Sequence, residues 1–146
     1  MATTSTVPAV KAALVSRLDV RVGLDAVSVT YAHPGDELPH ESIYLDRVVG
    51  VHNVVVTTGG RVPRDEQYTI DLIIHCFVSG ATLPASEDRA FAILAEVENE
   101  LANTPRLGLS IIDWAEARGY ELDTTRYTDG ALARIKLGVE VFAQLQ

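Results

Sequence analysis

The chain has 146 residues, 47% of them hydrophobic, with a net charge of -8 and a pI near 4.8. That length supports about one domain with a self-sufficient core, and an acidity shared by both halves argues against wrapping a phosphate backbone. A lone cysteine, Cys76, excludes an internal disulfide and the multi-cysteine zinc patterns, and no run approaches the ~20 apolar residues of a membrane-spanning helix.

Residues 1–5 are small and polar and read as a loose end, not as a signal peptide. Val7, Val10, Leu14 and Leu18 recur at spacings of three and four, which predicts a first helix over about 7–18. Pro8 falls in its first turn, where no amide partner is lost. Val27, Val29 and Tyr31 alternate with polar residues and predict a strand. Pro34, Gly35 and Pro39 then mark a loop. A β-rich run follows over 42–57, with a bulge expected near Gly50, and residues 57–66 form a second loop. The strongest strand pattern is 67–78, where Tyr68, Ile70, Leu72, Ile74, Cys76 and Val78 share a face. Its short connection to the preceding run predicts an antiparallel hairpin.

A second helix is predicted over 84–103, with Ala90, Leu94, Val97 and Leu101 inward and Glu96, Glu98 and Glu100 on the solvated side. Residues 109–114 read as a short strand, and 115–129 show no usable pattern. Residues 132–145 form a last strand, with Ala133, Ile135, Leu137, Val139, Val141, Ala143 and Leu145 on one face. The sum is an α+β fold: a single domain over 1–146, with one mostly antiparallel or mixed sheet of four to five strands and two helices packed on one face.

Little in the chain points to catalysis. His33, His40, His52 and His75 have no metal-type spacing, and His75 and Cys76 point to opposite faces of their strand. No nucleophile elbow, dinucleotide fingerprint or phosphate-binding loop occurs, and Gly59–Gly60 is a bare turn. No carboxylate sits in an apolar run that would raise its pKa for acid–base work. No catalytic residue, cofactor or metal is therefore expected, and the chain reads as no enzyme. Two features exceed that baseline. Arg61, Arg64, Asp65 and Glu66 cluster at the tip between two long strands, where mixed charge serves either solubility or a complementary contact with a neighbouring subunit. Tyr44, Ile73, Phe77 and Phe142 lie on the strand face turned away from the helices, so something else is expected to cover them.

Five segments carry a family resemblance: VPAVKAALVSRL, VSVTYAHPGDELPHESIYL, GGRVPRDEQYTIDLIIHCFV, VENELANTPRLGL and ALARIKLGVEVFAQL. Together they resemble the tail terminator proteins of long-tailed bacteriophages, also called tail completion or minor tail U-like proteins. The resemblance implies a hexameric ring of this chain at the head-proximal end of the virion tail, assembled in the host cytoplasm. Such a ring caps the tail tube, stops its polymerisation and presents the surface that joins the neck. Its partners would be copies of itself, the tail tube protein and a neck or connector protein. DNA would pass through without specific binding, and no membrane is involved. Glu37, Glu41, Asp113 and Glu116, in or near loops, are the candidates to face the channel or a partner. The alternatives are another head–tail connector or neck protein, or a small-ligand-binding or accessory enzyme subunit.

Overall fold

The computed structural model describes residues 4–54, 64–80 and 82–145. Helix α1 spans Val7–Asp19 and is followed by a 3-10 turn at Val22–Leu24. Strands β1 (Ser28–Thr30), β2 (Glu41–Val54) and β3 (Arg64–Ser79) come next. Helix α2 covers Leu83–Asn103, and strands β4 (Trp114–Tyr127) and β5 (Gly130–Leu145) close the chain. They form one five-stranded sheet in the order β1-β2-β3-β5-β4. Every pairing is antiparallel except β1 with β2, so the sheet is mixed.

Both helices pack on one face, as the apolar stripes require. Val10, Leu14 and Leu18 of α1 and Ala90, Leu94, Val97 and Leu101 of α2 are buried in one core with Ile70, Leu72, Ile74, Ile135, Leu137 and Val139. The proline near the start of each helix sits where its missing N–H costs nothing.

Three local expectations are corrected. First, 109–114 is not a strand; β4 is the unpatterned stretch 114–127. It is a sheet edge, and from Gly119 onward its side chains are exposed on both faces, so no apolar alternation marks it. Second, the irregularity in β2 lies between Leu45 and Val48, not at Gly50. Gly50 pairs regularly with Tyr68, and a Cβ there would lie 2.6 Å from the Tyr68 Cβ; close approach explains the glycine. Third, Arg64, Asp65 and Glu66 belong to β3 and not to a loop.

The face without helices is covered in part by the chain itself. The 31–40 connection crosses it between β1 and β2. The His33 ring packs edge-on to Tyr44 with centroids 5.0 Å apart, and His40 packs on Phe77 at 5.1 Å. Tyr44 and Ile73 are buried on that side. Trp114 lies over Phe142 at 4.7 Å.

Leu72 and Leu137 are direct cross-strand partners, and both are fully buried. Leu72→Ala or Leu137→Ala is expected to cost about 2–5 kcal/mol, as truncations of buried leucine do. Urea unfolding followed by circular dichroism measures it; a loss under about 1 kcal/mol at both positions would place the core elsewhere.

Candidate functional site

The most developed polar cluster lies where α1 begins. Glu66 continues the inward stripe of Tyr68 and Ile70 and is 3% exposed. Its Oε1 accepts from the Thr6 backbone N–H at 2.9 Å and from the Thr6 hydroxyl at 2.7 Å. Its Oε2 lies 3.0 Å from His52 Nε2, and the Thr6 hydroxyl also lies 3.0 Å from the Tyr68 hydroxyl. Burial pushes the Glu66 carboxyl up, but hydrogen bonding with Ser5, the Thr6 amide and hydroxyl, and His52 outweighs it and holds the group below its ordinary pKa. A carboxylate at the start of α1 also suits the positive end of the helix dipole. Burial raises the Tyr68 phenol well above its usual range.

The other predicted interface residues fare differently. Arg64 and Asp65 open β3, opposite Val54 and Asn53 on one side and Leu145 and Gln144 on the other. Arg61 lies outside the described residues. Glu66 is therefore separated from its sequence neighbours: it turns inward and Asp65 stays exposed. The signal was present in the sequence, because the period-two stripe of β3 extends back to position 66.

The predicted channel residues are not brought together. Glu37 is exposed in the 31–40 crossing. Glu41 opens β2 beside Cys76 and is clasped by Arg89 of α2, with Nε–Oε2 at 2.7 Å and Nη2–Oε1 at 2.8 Å. That two-pronged hydrogen bond holds the Glu41 carboxyl below its usual pKa. It also places Glu41 on the helix side of the sheet. Asp113 precedes β4, its amide donating to the Phe142 carbonyl at 2.7 Å. Glu116 lies in β4 and pairs with Arg118 at 2.8 Å.

The carboxylates Glu96 and Glu100 are not a solvated face. They receive Arg21 at 2.6 and 2.7 Å, and Arg17 reaches Glu100 at 3.4 Å, so they fasten α2 to the end of α1. Sequence periodicity missed this clamp because both partners look like ordinary surface charges.

On the open face the charges form a cross-strand ladder. Glu140 accepts from Gln67 at 2.7 Å and from Arg118 at 2.6 Å, and Lys136 lies 3.8 Å from Asp71. At the far end of this face, a cavity of about 440 Å³ is lined by His33, His40, His75, Phe77, Tyr127, Asp36, Glu37 and Asp129. Burial, then the charges of Arg134, His40 and His33, depress the His75 pKa and keep its ring neutral. Among the described residues no group of three or more His, Cys, Asp or Glu is placed to hold a metal ion. Burial also pushes the Cys76 thiol up to about 11, with the Glu41 charge adding to it and Arg89 opposing, so it is a poor nucleophile.

No family model matches the chain, and no curated protein matches it. A solved structure described as "Virion of native gene transfer agent (GTA) particle" contains a chain of similar fold. The alignment has a TM-score of 0.63 at 17% sequence identity and covers 96% of this chain and 98% of that one. The likeness therefore spans the whole fold, with no large insertion on either side.

Glu66 gives a pH-dependent anchor. Its carboxyl has a lower pKa folded than unfolded, so its contribution is full above the ordinary value of 4.5 and is lost as pH falls through the depressed value. Glu66→Gln is expected to lose about 1.5–3 kcal/mol at neutral pH, the range for hydrogen bonds to a charged group. Denaturant titrations against pH should show the gap to the parent closing in acid; a pH-independent gap would contradict the anchor.

Proposed function

We propose that the chain is a structural subunit of a phage-like virion, and that within the particle it is the tail terminator. Its copies form a ring that seats on the last ring of the tail tube, stops further addition and presents the opposite face to the neck. The observation that carries the reading is the whole-length likeness of fold to a chain of a gene transfer agent virion. The five sequence segments named above narrow it from virion subunit to tail terminator.

The chemistry of the chain agrees with a role in assembly. The Arg21–Glu96, Arg21–Glu100 and Arg89–Glu41 pairs lock elements together, and Glu66 ties the first helix to β3. Each makes a rigid body from a small chain. A terminator works through such rigidity, because one face of its ring must match the tube and the other must not. A closed ring in turn needs an unlike, head-to-tail contact between neighbours. Arg64 and Asp65, which open β3, are proposed together with Arg61 as part of the subunit contacts.

The passage of DNA sets a further condition. A basic bore would neutralise phosphates and hold the genome through salt-dependent affinity. This subunit carries a net charge of -8, and on its open sheet face Lys136 and Arg118 already lie beside carboxylates.

Two measurements test the reading. Added to its own polymerising tail tube protein, the chain should stop tube growth, giving short tubes with a ring at one end in electron micrographs. Tubes of equal length with and without it would overturn the terminator role. In a gel shift at physiological salt, the isolated protein should leave double-stranded DNA unretarded; micromolar retention would favour a nucleic-acid-binding function instead.

A further inference from the structure

Three of the exposed large apolar side chains occupy matched positions at the two margins of the sheet. Val49 and Val51 on β2 are 54% and 57% exposed, and Trp114 on β4 is 43% exposed. Val51 pairs with Gln67, Gln67 with Phe142, and Phe142 with Trp114, so one row crosses four strands on the helix-free face. The adjacent row runs from Val49 through Thr69 and Glu140 to Glu116. One margin of the sheet thus ends in two valines, and the opposite margin, at the same height and on the same face, ends in an indole.

Both margins are open. β1 pairs only with Ser42–Tyr44, so among the described residues β2 has no outer strand from its bulge to Val54, and β4 has none. The two edge strands also deviate at one level: β2 between Leu45 and Val48, β4 between Ala117 and Tyr120. These bulges place exposed Asp46 and Arg47 on one margin and Arg118, beside Glu116, on the other. Crossing from one copy to the next, Asp46 would stand level with Arg118, opposite to it in sign. On β4 the Ala115 amide already donates to the Pro105 carbonyl at 2.6 Å. That amide is therefore closed to a neighbour's backbone, and at this row the contact is made by side chains.

We infer that Val49 and Val51 of one copy and Trp114 of the next form a head-to-tail contact between copies of this chain. This rests on the ring reading above and supplies its lateral surface. The occupant is a second copy because the two patches are unlike, lie on opposite margins, and Val51 shares its row with Trp114. A copy displaced by one sheet width therefore brings them together, and repeated displacement about an axis closes a ring. A tryptophan set against branched aliphatic side chains is the kind of anchor that carries most of an interface's energy.

Val51→Asp and Trp114→Glu test it in sedimentation velocity, with circular dichroism and melting as the check on folding. Wild type should run as a multi-subunit species and each variant as a monomer. An equimolar mixture of the two variants should run as a one-to-one dimer at the highest soluble concentration. In that pair the intact Trp114 of one variant meets the intact Val51 of the other, and the second contact is broken. Should Trp114→Glu alter the fold, Val51→Asp alone decides, since its side chain is more than half exposed. Variants that still assemble would overturn this surface and leave the ring reading standing, as would monomeric variants whose mixture stays monomeric. Wild type that remains monomeric would overturn both.

Discussion

Strand β3 pairs along all 16 of its residues with β5 on one side and from Arg64 to Cys76 with β2 on the other, and its inward side chains are what the remaining elements are fastened to. Because strand side chains alternate with a period of two, the register of this one strand decides which face every neighbouring row presents. At one end the inward stripe reaches Glu66, which holds the start of α1. At the other it reaches Cys76, which lies beside the Glu41–Arg89 clasp to α2. A slip of one residue would bury Asp65 and Gln67 and expel Glu66 and Tyr68. The apolar middle of the stripe and the polar anchor at its end therefore enforce the same alignment.

The distribution of charge follows from that frame. Charged pairs on the helix side tie helix to helix or helix to sheet. Those on the open side run across β3, β5 and β4 as a ladder. Groups that could be reactive are turned into structural ones by their surroundings. Burial holds the Cys76 thiol and the Tyr68 phenol protonated, and the His75 ring stays neutral beside Arg134. Much of what the molecule leaves for partners is surface shape, with apolar and charged groups concentrated at the margins of the sheet. The proposed role as a subunit that fits between other subunits rests on these surfaces and not on the fold class.

Legibility in the sequence varied with burial. Both helices and the strands β3 and β5 could be read from the residues because each buries a continuous face, which stamps its period on the chain. β4 could not. It is an edge strand whose second half, Gly119–Tyr127, is solvated on both faces, so its pairing comes from the backbone of β5 and leaves no mark on residue type. The clamp of Arg17 and Arg21 on Glu96 and Glu100 was equally silent, because it joins residues some 75 to 83 positions apart. Glu66 was misplaced for a related reason. A carboxylate flanked by Arg64, Asp65 and Gln67 reads as part of a polar tip, and only its distant partner Thr6 makes it a buried acceptor.

By itself, then, the sequence determined the α+β fold, its long apolar stripes and the side of the sheet on which the helices lie, since hydrophobic period is a local property that any matching face must satisfy. The tertiary structure alone decided the strand order β1-β2-β3-β5-β4 and the parallel entry of β1. It also decided the burial of Tyr44 and Ile73 under the 31–40 crossing, and the row that sets Val51 and Trp114 at opposite margins. Those features depend on which distant residues become neighbours. That is settled by the joint packing of all the stripes and by the pairing of backbone groups that every residue carries alike.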